Sequence, residues 1–149
     1  MMRYRKGARD TAFLVLYRWD LRGENPGELF KEVVEEKNIK NKDAYEYAKK
    51  LVDTAVRHIE EIDSIIEKHL KGWSIDRLGY VERNALRLGV AELIFLKSKE
   101  PGRVFIDIVD LVKKYADEKA GKFVNGVLSA IYKAYITSSK EEKPSLKSE

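Results

Sequence analysis

From Tyr80 to Leu96 the apolar side chains fall on two adjoining stripes, Val81, Ala85, Leu88 and Phe95 on one and Leu86, Leu93 and Leu96 on the next. Separations of three, four and seven predict a helix that buries much of its girth, with other helices against at least two of its sides. Gly89 interrupts the pattern in mid-helix, where glycine costs about 1 kcal/mol against alanine, so a neighbouring helix is expected to approach closely there. Two acids, Glu82 and Glu92, stand as misfits in this apolar field.

The same periodicity organises the rest of the chain. A helix is predicted from about Arg5 to Leu21, with Ala8, Ala12, Val15, Leu16 and Trp19 on its core face. Its second stripe, Lys6, Asp10, Phe13 and Tyr17, mixes base, acid and ring. Two readings of those rings stand side by side: half-buried packing, or a stacking platform for unpaired bases flanked by cations. Arg22 to Gly27 is a turn, and Pro26 opens a short helix to about Glu36. After a polar loop at Asn38 to Asn41, threes and fours persist from Lys42 to Leu70, long enough that a break is expected near Glu61 to Ser64. Gly72-Trp73-Ser74 closes that run, with Ser74 a candidate N-cap and Trp73 expected to pack between two halves of the molecule.

Beyond the central helix, Lys97 to Gly102 is a loop and Phe105 to Tyr115 a helix with Ile108, Val109 and Val112 inward. The β-branched stretch Val104 to Val109 would also suit a strand, but no partner strand is predicted elsewhere. The last helix runs from about Lys122 to Thr137, and within it Gly126 is expected to serve close helix packing. The fold class is all-α, one domain over residues 1–139. Residues 140–149 form a charged tail with Pro144 and no apolar periodicity, expected to be disordered.

Composition narrows the chemistry. The 149 residues include no cysteine, so disulfides and thiolate metal sites are excluded. His58 and His69 lie about 16 Å apart along one predicted helix, too far to share a metal ion. No apolar run reaches the roughly 18 residues of a membrane helix, and the start is charged rather than signal-like, so a soluble, cytoplasmic protein is expected. Charged residues make up 36% of the chain, with a net charge of +4. Dispersed, that excess would signify only surface ion pairs. It is instead concentrated at the amino terminus, where Arg3, Arg5, Lys6 and Arg9 occur with no acid among the first nine residues. A basic cluster beside aromatics points to nucleic acid. Phe123 adds a ring at the start of the last helix beside Lys119 and Lys122, where free N–H groups and the helix dipole favour phosphate, although its spacing to Ala120, Val127 and Ala130 equally suits the core.

Three blocks carry a resemblance: Gly7-Ala8-Arg9 leading to Leu16-Tyr17-Arg18-Trp19, Val81-Glu82-Arg83 with Leu86-Arg87-Leu88-Gly89 and Glu92-Leu93, and Lys122-Phe123-Val124-Asn125-Gly126-Val127-Leu128. In order and spacing the chain resembles the NusB family of bacterial transcription antitermination factors. The resemblance implies two packed three-helix-type sub-bundles, about residues 1–72 and 73–139, and a non-catalytic role without cofactor or metal. It also implies pairing with the ribosomal protein NusE, joint binding of the single-stranded boxA element of nascent ribosomal RNA, and thereby help to RNA polymerase in resisting termination. Carried over, RNA contacts fall on Arg3, Arg5, Lys6, Arg9, Tyr17, Lys122 and Phe123, and partner contacts on Glu82 and Asp107. Two departures stand out: Gly7 occupies a place where arginine is common, implying a shallower salt dependence, and Ile106-Asp107 replaces a frequent Asn-Glu.

Enzyme motifs are missing. Gly121-Lys122 lacks the upstream glycine and the following Ser or Thr of a phosphate-binding P-loop, and no nucleophile stands in a recognisable motif beside a histidine. The competing reading is a helical protein-interaction module or homodimer whose basic start is incidental. Glu82 likewise has a plain alternative, satisfying the start of its own helix or pairing with Arg83 or Arg87.

Overall fold

Gly23 ends the first helix in the left-handed conformation at φ 69°, its N–H donating to the Trp19 carbonyl, a geometry that glycine adopts without strain. The helix it closes, α1 (Tyr4–Arg22), is followed by α2 (Pro26–Lys37), α3 (Lys42–Arg57) and α4 (Ile59–Glu67). A 3₁₀ turn (Ile75–Arg77) leads into α5 (Tyr80–Val90), which passes directly into a π-helical turn (Ala91–Phe95), and α6 (Pro101–Tyr115) and α7 (Glu118–Lys147) complete the chain. This computed structural model describes the backbone of residues 3–147 and the side chains of residues 3–139. Among the described residues there is no strand, so Val104 to Val109 is helical, with Val104 and Ile108 buried in the core and Ile106 exposed.

Several boundaries differ from expectation for identifiable reasons. The long third run breaks at His58, earlier than the Glu61 to Ser64 expected, where the imidazole stacks on Phe95 at 4.5 Å; that contact is tertiary, and no local signal announces it. Pro101 opens α6 four residues early, since the first helical position needs no N–H. Asp117 accepts a hydrogen bond from the Ala120 N–H and so starts α7 at Glu118. Past Thr137 no glycine interrupts Ser138 to Lys143, and the helical path continues through the expected tail to Lys147; residues 148 and 149 lie outside the described residues.

Helices α1, α2 and α3 pack together, as do α5, α6 and α7, and α1 against α5 forms the seam between them. One core runs across it, joining Ala12, Leu16 and Leu51 to Leu86, Leu88 and Leu128. A Cβ on Gly89 would lie 2.8 Å from Leu128 Cδ2, so the mid-helix glycine does serve a close crossing, of α5 with α7. Gly126 does not: it is exposed and a Cβ there would meet nothing. Trp73 is also not packed between halves. It is 56% exposed, with the Arg77 guanidinium 5.1 Å above its ring, and the Ser74 side chain caps nothing.

Candidate nucleic-acid interface

The basic amino terminus divides into inward and outward members. Arg9, expected to meet phosphate, is fully buried. Its Nε and Nη2 donate to the two oxygens of Glu92 and its Nη1 to Asp107 Oδ2, each at 2.7 Å. Burial works against its charge, but the hydrogen bonds and charges of Glu92 and Asp107 outweigh that and hold its pKa above the ordinary arginine value. Glu92, the misfit of the central helix, is thus the counter-ion of Arg9, and it sits in the π-helical turn. Tyr47 donates its hydroxyl to Glu92 Oε2 at 2.5 Å, and burial together with that carboxylate pushes the phenol pKa up. Asp107, expected to touch a protein partner, is only 2% exposed and held by Arg9 through Oδ2 alone. Both residues leave the outer surface for the same reason: a guanidinium and its carboxylates satisfy one another inside the bundle.

Arg5 is half committed. It lies 4.2 Å over the Tyr47 ring and 3.7 Å from Glu100. Arg3 and Lys6 are exposed, Lys6 reaching Asp110 on α6 at 3.4 Å.

That ion pair lies on a surface that reaches the start of α7. One groove of about 570 Å³ separates α1 from α6, lined by Lys6, Asp110, Lys113 and Lys114 among others. A second, of about 410 Å³, separates α6 from α7, with Phe105, Ile106 and Val109 as apolar floor and Lys113 and Lys122 at its edge. Asp110 and Lys113 line both, so Lys6 and Lys122 stand on one continuous face although far apart in sequence. Phe123, next to Lys122, is 41% exposed and turns about 100° from it around α7; it is not a core residue. Sequence reasoning missed Lys113 and Lys114, whose only signal was two adjacent lysines on the polar side of a helix.

The rings of α1 resolve differently. Phe13 is 1% exposed and stacks on Tyr115 at 5.2 Å, which makes it packing. Tyr17 is half-buried, tilted against Phe13 and edge-on to Tyr80 at 6.0 Å. Glu82 is also half-buried, and its expected helix partners are engaged elsewhere. Arg83 grips Asp20 at 2.6 and 2.9 Å, and Arg87 grips Asp63 at 2.8 and 2.9 Å. Glu82 therefore has no hydrogen bond or ion pair among the described residues. At this end of the molecule, where Arg83 joins Asp20 to the Asp76 carbonyl, Leu21, Trp73 and Tyr80 are exposed.

His58 is stacked on Phe95, and His69 Nδ1 lies 3.1 Å from the Ile65 carbonyl oxygen. No group of three potential metal ligands, and no helix long and apolar enough to cross a membrane, occurs among the described residues.

Comparison with known proteins accords with this architecture. The NusB family model matches residues 6–133. The transcription antitermination protein NusB of Persephonella marina is 45% identical over 139 residues, which span 89% of this chain and 95% of that protein. In a crystal structure of antitermination factors NusB and NusE in complex with dsRNA, a chain 98% identical superposes with a TM-score of 0.88 over 91% of this chain and 100% of its own. NusB of T. maritima, 32% identical, superposes with a TM-score of 0.80 over 87% of this chain and 90% of its own.

Proposed function

The chain belongs to the NusB family, and we propose that it acts as an RNA-binding transcription antitermination factor: it pairs with NusE, and the pair holds the boxA element of nascent RNA so that polymerase resists termination. The observation that carries this reading is the exposed Phe123 on the first turns of α7, next to Lys122, which itself shares one continuous face with Lys6. Lysines take phosphate, and an exposed ring stacks a base whatever its identity. The free N–H groups expected beside Phe123 are not part of this site, since α7 begins earlier, at Glu118, with Asp117 on the Ala120 N–H. Arg3, Lys6 and Lys122 are the phosphate contacts of this face, with Arg5 at its border and Tyr17 buttressing it from α1. Arg9 acts behind it, holding α1 in place.

NusE docks, on this reading, at the Glu82 end, where an acid without an internal partner and exposed Leu21, Trp73 and Tyr80 share one end of the molecule. A basic side chain of the partner neutralises Glu82, while Trp73 and Tyr80 supply anchors of the kind that dominate interface energies. The partner's basic group thereby finds the acid that Arg83 and Arg87 leave unpaired.

The test is titration of a short boxA-like RNA, as a single strand and as a duplex, with and without NusE, at two salt concentrations. Binding of the single strand is expected to strengthen with NusE, to depend on base sequence and to weaken as salt rises. Affinity indifferent to both NusE and sequence would overturn the proposal and favour an interaction module with an incidental basic start. The duplex arm separates recognition of phosphates alone from recognition of unstacked bases.

A further inference from the structure

The groove between α1 and α6 ends on an acid whose partners do not exhaust it. Asp107 accepts from Arg9 through Oδ2, while its buried Oδ1 has no hydrogen-bond partner. Arg103 Nη1 lies 4.0 Å from Oδ1, outside hydrogen-bond reach. A buried carboxylate oxygen without a donor is uncommon and unfavourable, and such exceptions concentrate where a ligand supplies the missing group.

The surroundings specify what kind of donor. Asp107 lines the groove of about 570 Å³ together with Gly7, Leu111, Lys6 and Lys114, a volume within the usual range for small organic ligands. Gly7 leaves one wall open, since a Cβ there would meet nothing, and Leu111 adds apolar surface. Lys6 and Lys114 are 67% and 62% exposed at their side chains, each in an ion pair longer than 3.3 Å, to Asp110 at 3.4 Å and Asp10 at 3.7 Å. Such loosely held ammonium groups are free to turn to phosphate. Asp10 and Asp110 line the groove as well but are engaged, by Lys37 and Tyr115 and by Lys6. Lysines at the mouth and the unpartnered Asp107 oxygen therefore match a nucleotide: phosphates outside, base edge inside.

Resting on the RNA-binding reading above, we propose that this groove receives one unstacked nucleobase of the bound RNA, and that Asp107 Oδ1 selects it by accepting a hydrogen bond from an exocyclic amino group. A carboxylate accepts from the amino group of cytosine, adenine or guanine and repels a carbonyl edge. Discrimination is sharp because a base without that donor leaves the buried oxygen unsatisfied. The departure at Gly7 then acquires a function: an arginine in its place would stand at the mouth of the groove.

The experiment replaces, one position at a time, each amino-bearing base of a bound single strand by its counterpart lacking the amino group: cytosine by uracil, guanine by hypoxanthine, adenine by purine. Binding is measured with NusE present, for the wild type and for Gly7→Leu, whose side chain enters open space and narrows the groove without disturbing the core. One position is expected to lose about tenfold in the wild type. Gly7→Leu is expected to lower affinity for the parent RNA by a similar factor and to erase the difference at that position, with an unchanged thermal transition. RNA that binds but shows no sensitive position, or a Gly7→Leu protein that keeps the discrimination, would overturn the proposal while leaving the RNA-binding reading standing. Loss of NusE affinity in Gly7→Leu, with RNA affinity unchanged, would also overturn it, assigning the groove to a protein. A wild type that binds no RNA would sink both readings.

Discussion

Arg9 ties α1 to the π-helical turn and to α6 through three 2.7 Å hydrogen bonds, so its removal strands two carboxylates in the core. Arg9→Ala is therefore expected to cost about 3–5 kcal/mol of folding stability, read as a lowered urea midpoint, and any loss of RNA binding should follow the loss of folded protein. Retained stability with weakened RNA affinity would return Arg9 to the surface. Phe123 behaves in the opposite sense. Because its ring is 41% exposed, Phe123→Ala should leave the thermal transition in place and remove about 1–3 kcal/mol of RNA binding. A collapsed transition would mean that the ring supports the fold after all. The sequence made Phe123 visible because a ring directly after two closely spaced lysines near a helix start is a local pattern. It left core and surface undecided, since positions three and four residues away are apolar in either case.

Among the elements, the crossing of α5 and α7 is decided by one missing methyl group. Gly89→Ala places a Cβ 2.8 Å from a Leu128 side chain that is itself fully buried. Overpacking should outweigh the propensity gain of about 1 kcal/mol and leave a net loss of about 1–2 kcal/mol. Gly126→Ala, on the exposed side of α7 with open space around it, should instead stabilise by about 0.5–1 kcal/mol. Denaturant midpoints of the two variants moving in the same direction would refute this account. Both glycines interrupt helical runs and are indistinguishable in sequence; only the partner helix separates them. The break at His58 and the π-helical turn at Ala91–Phe95 were invisible for a related reason, since a ring contact and a buried counter-ion accompany them and neither is local.

For the molecule as a whole, the seam between α1 and α5 is closed by Asp20, which accepts from Arg83 and Asn84 and lies 3.3 Å from Arg87. Burial alone would raise its pKa, but the hydrogen bonds from Arg83 and Asn84 and the Arg87 charge prevail and hold it below the ordinary aspartate value. A carboxylate depressed in the folded state contributes stability that is fully present above the unfolded pKa of about 3.9 and is lost as pH falls through the folded value. Stability measured by urea denaturation should thus fall on acidification below about pH 4, and Asp20→Asn should be less stable at neutral pH with a flatter acid limb. An unaltered acid limb in Asp20→Asn would remove Asp20 from the seam. Partner docking belongs to this scale too, because Leu21, Trp73, Tyr80 and Glu82 come from three separate segments that the seam gathers at one end.

Hydrophobic periodicity is a property of consecutive residues, so the presence of the helices, most of their inward faces and the three family blocks could be read from residue order alone, though not every helix boundary. Which members of the basic start face water was settled only by the tertiary structure. Arg5 and Arg9 differ by one helical turn and look alike in the chain, yet the carboxylates that draw Arg9 inward lie 83 and 98 residues away. Electrostatic pairing of a buried guanidinium depends on where the fold delivers its counter-ions, and no local pattern encodes that position.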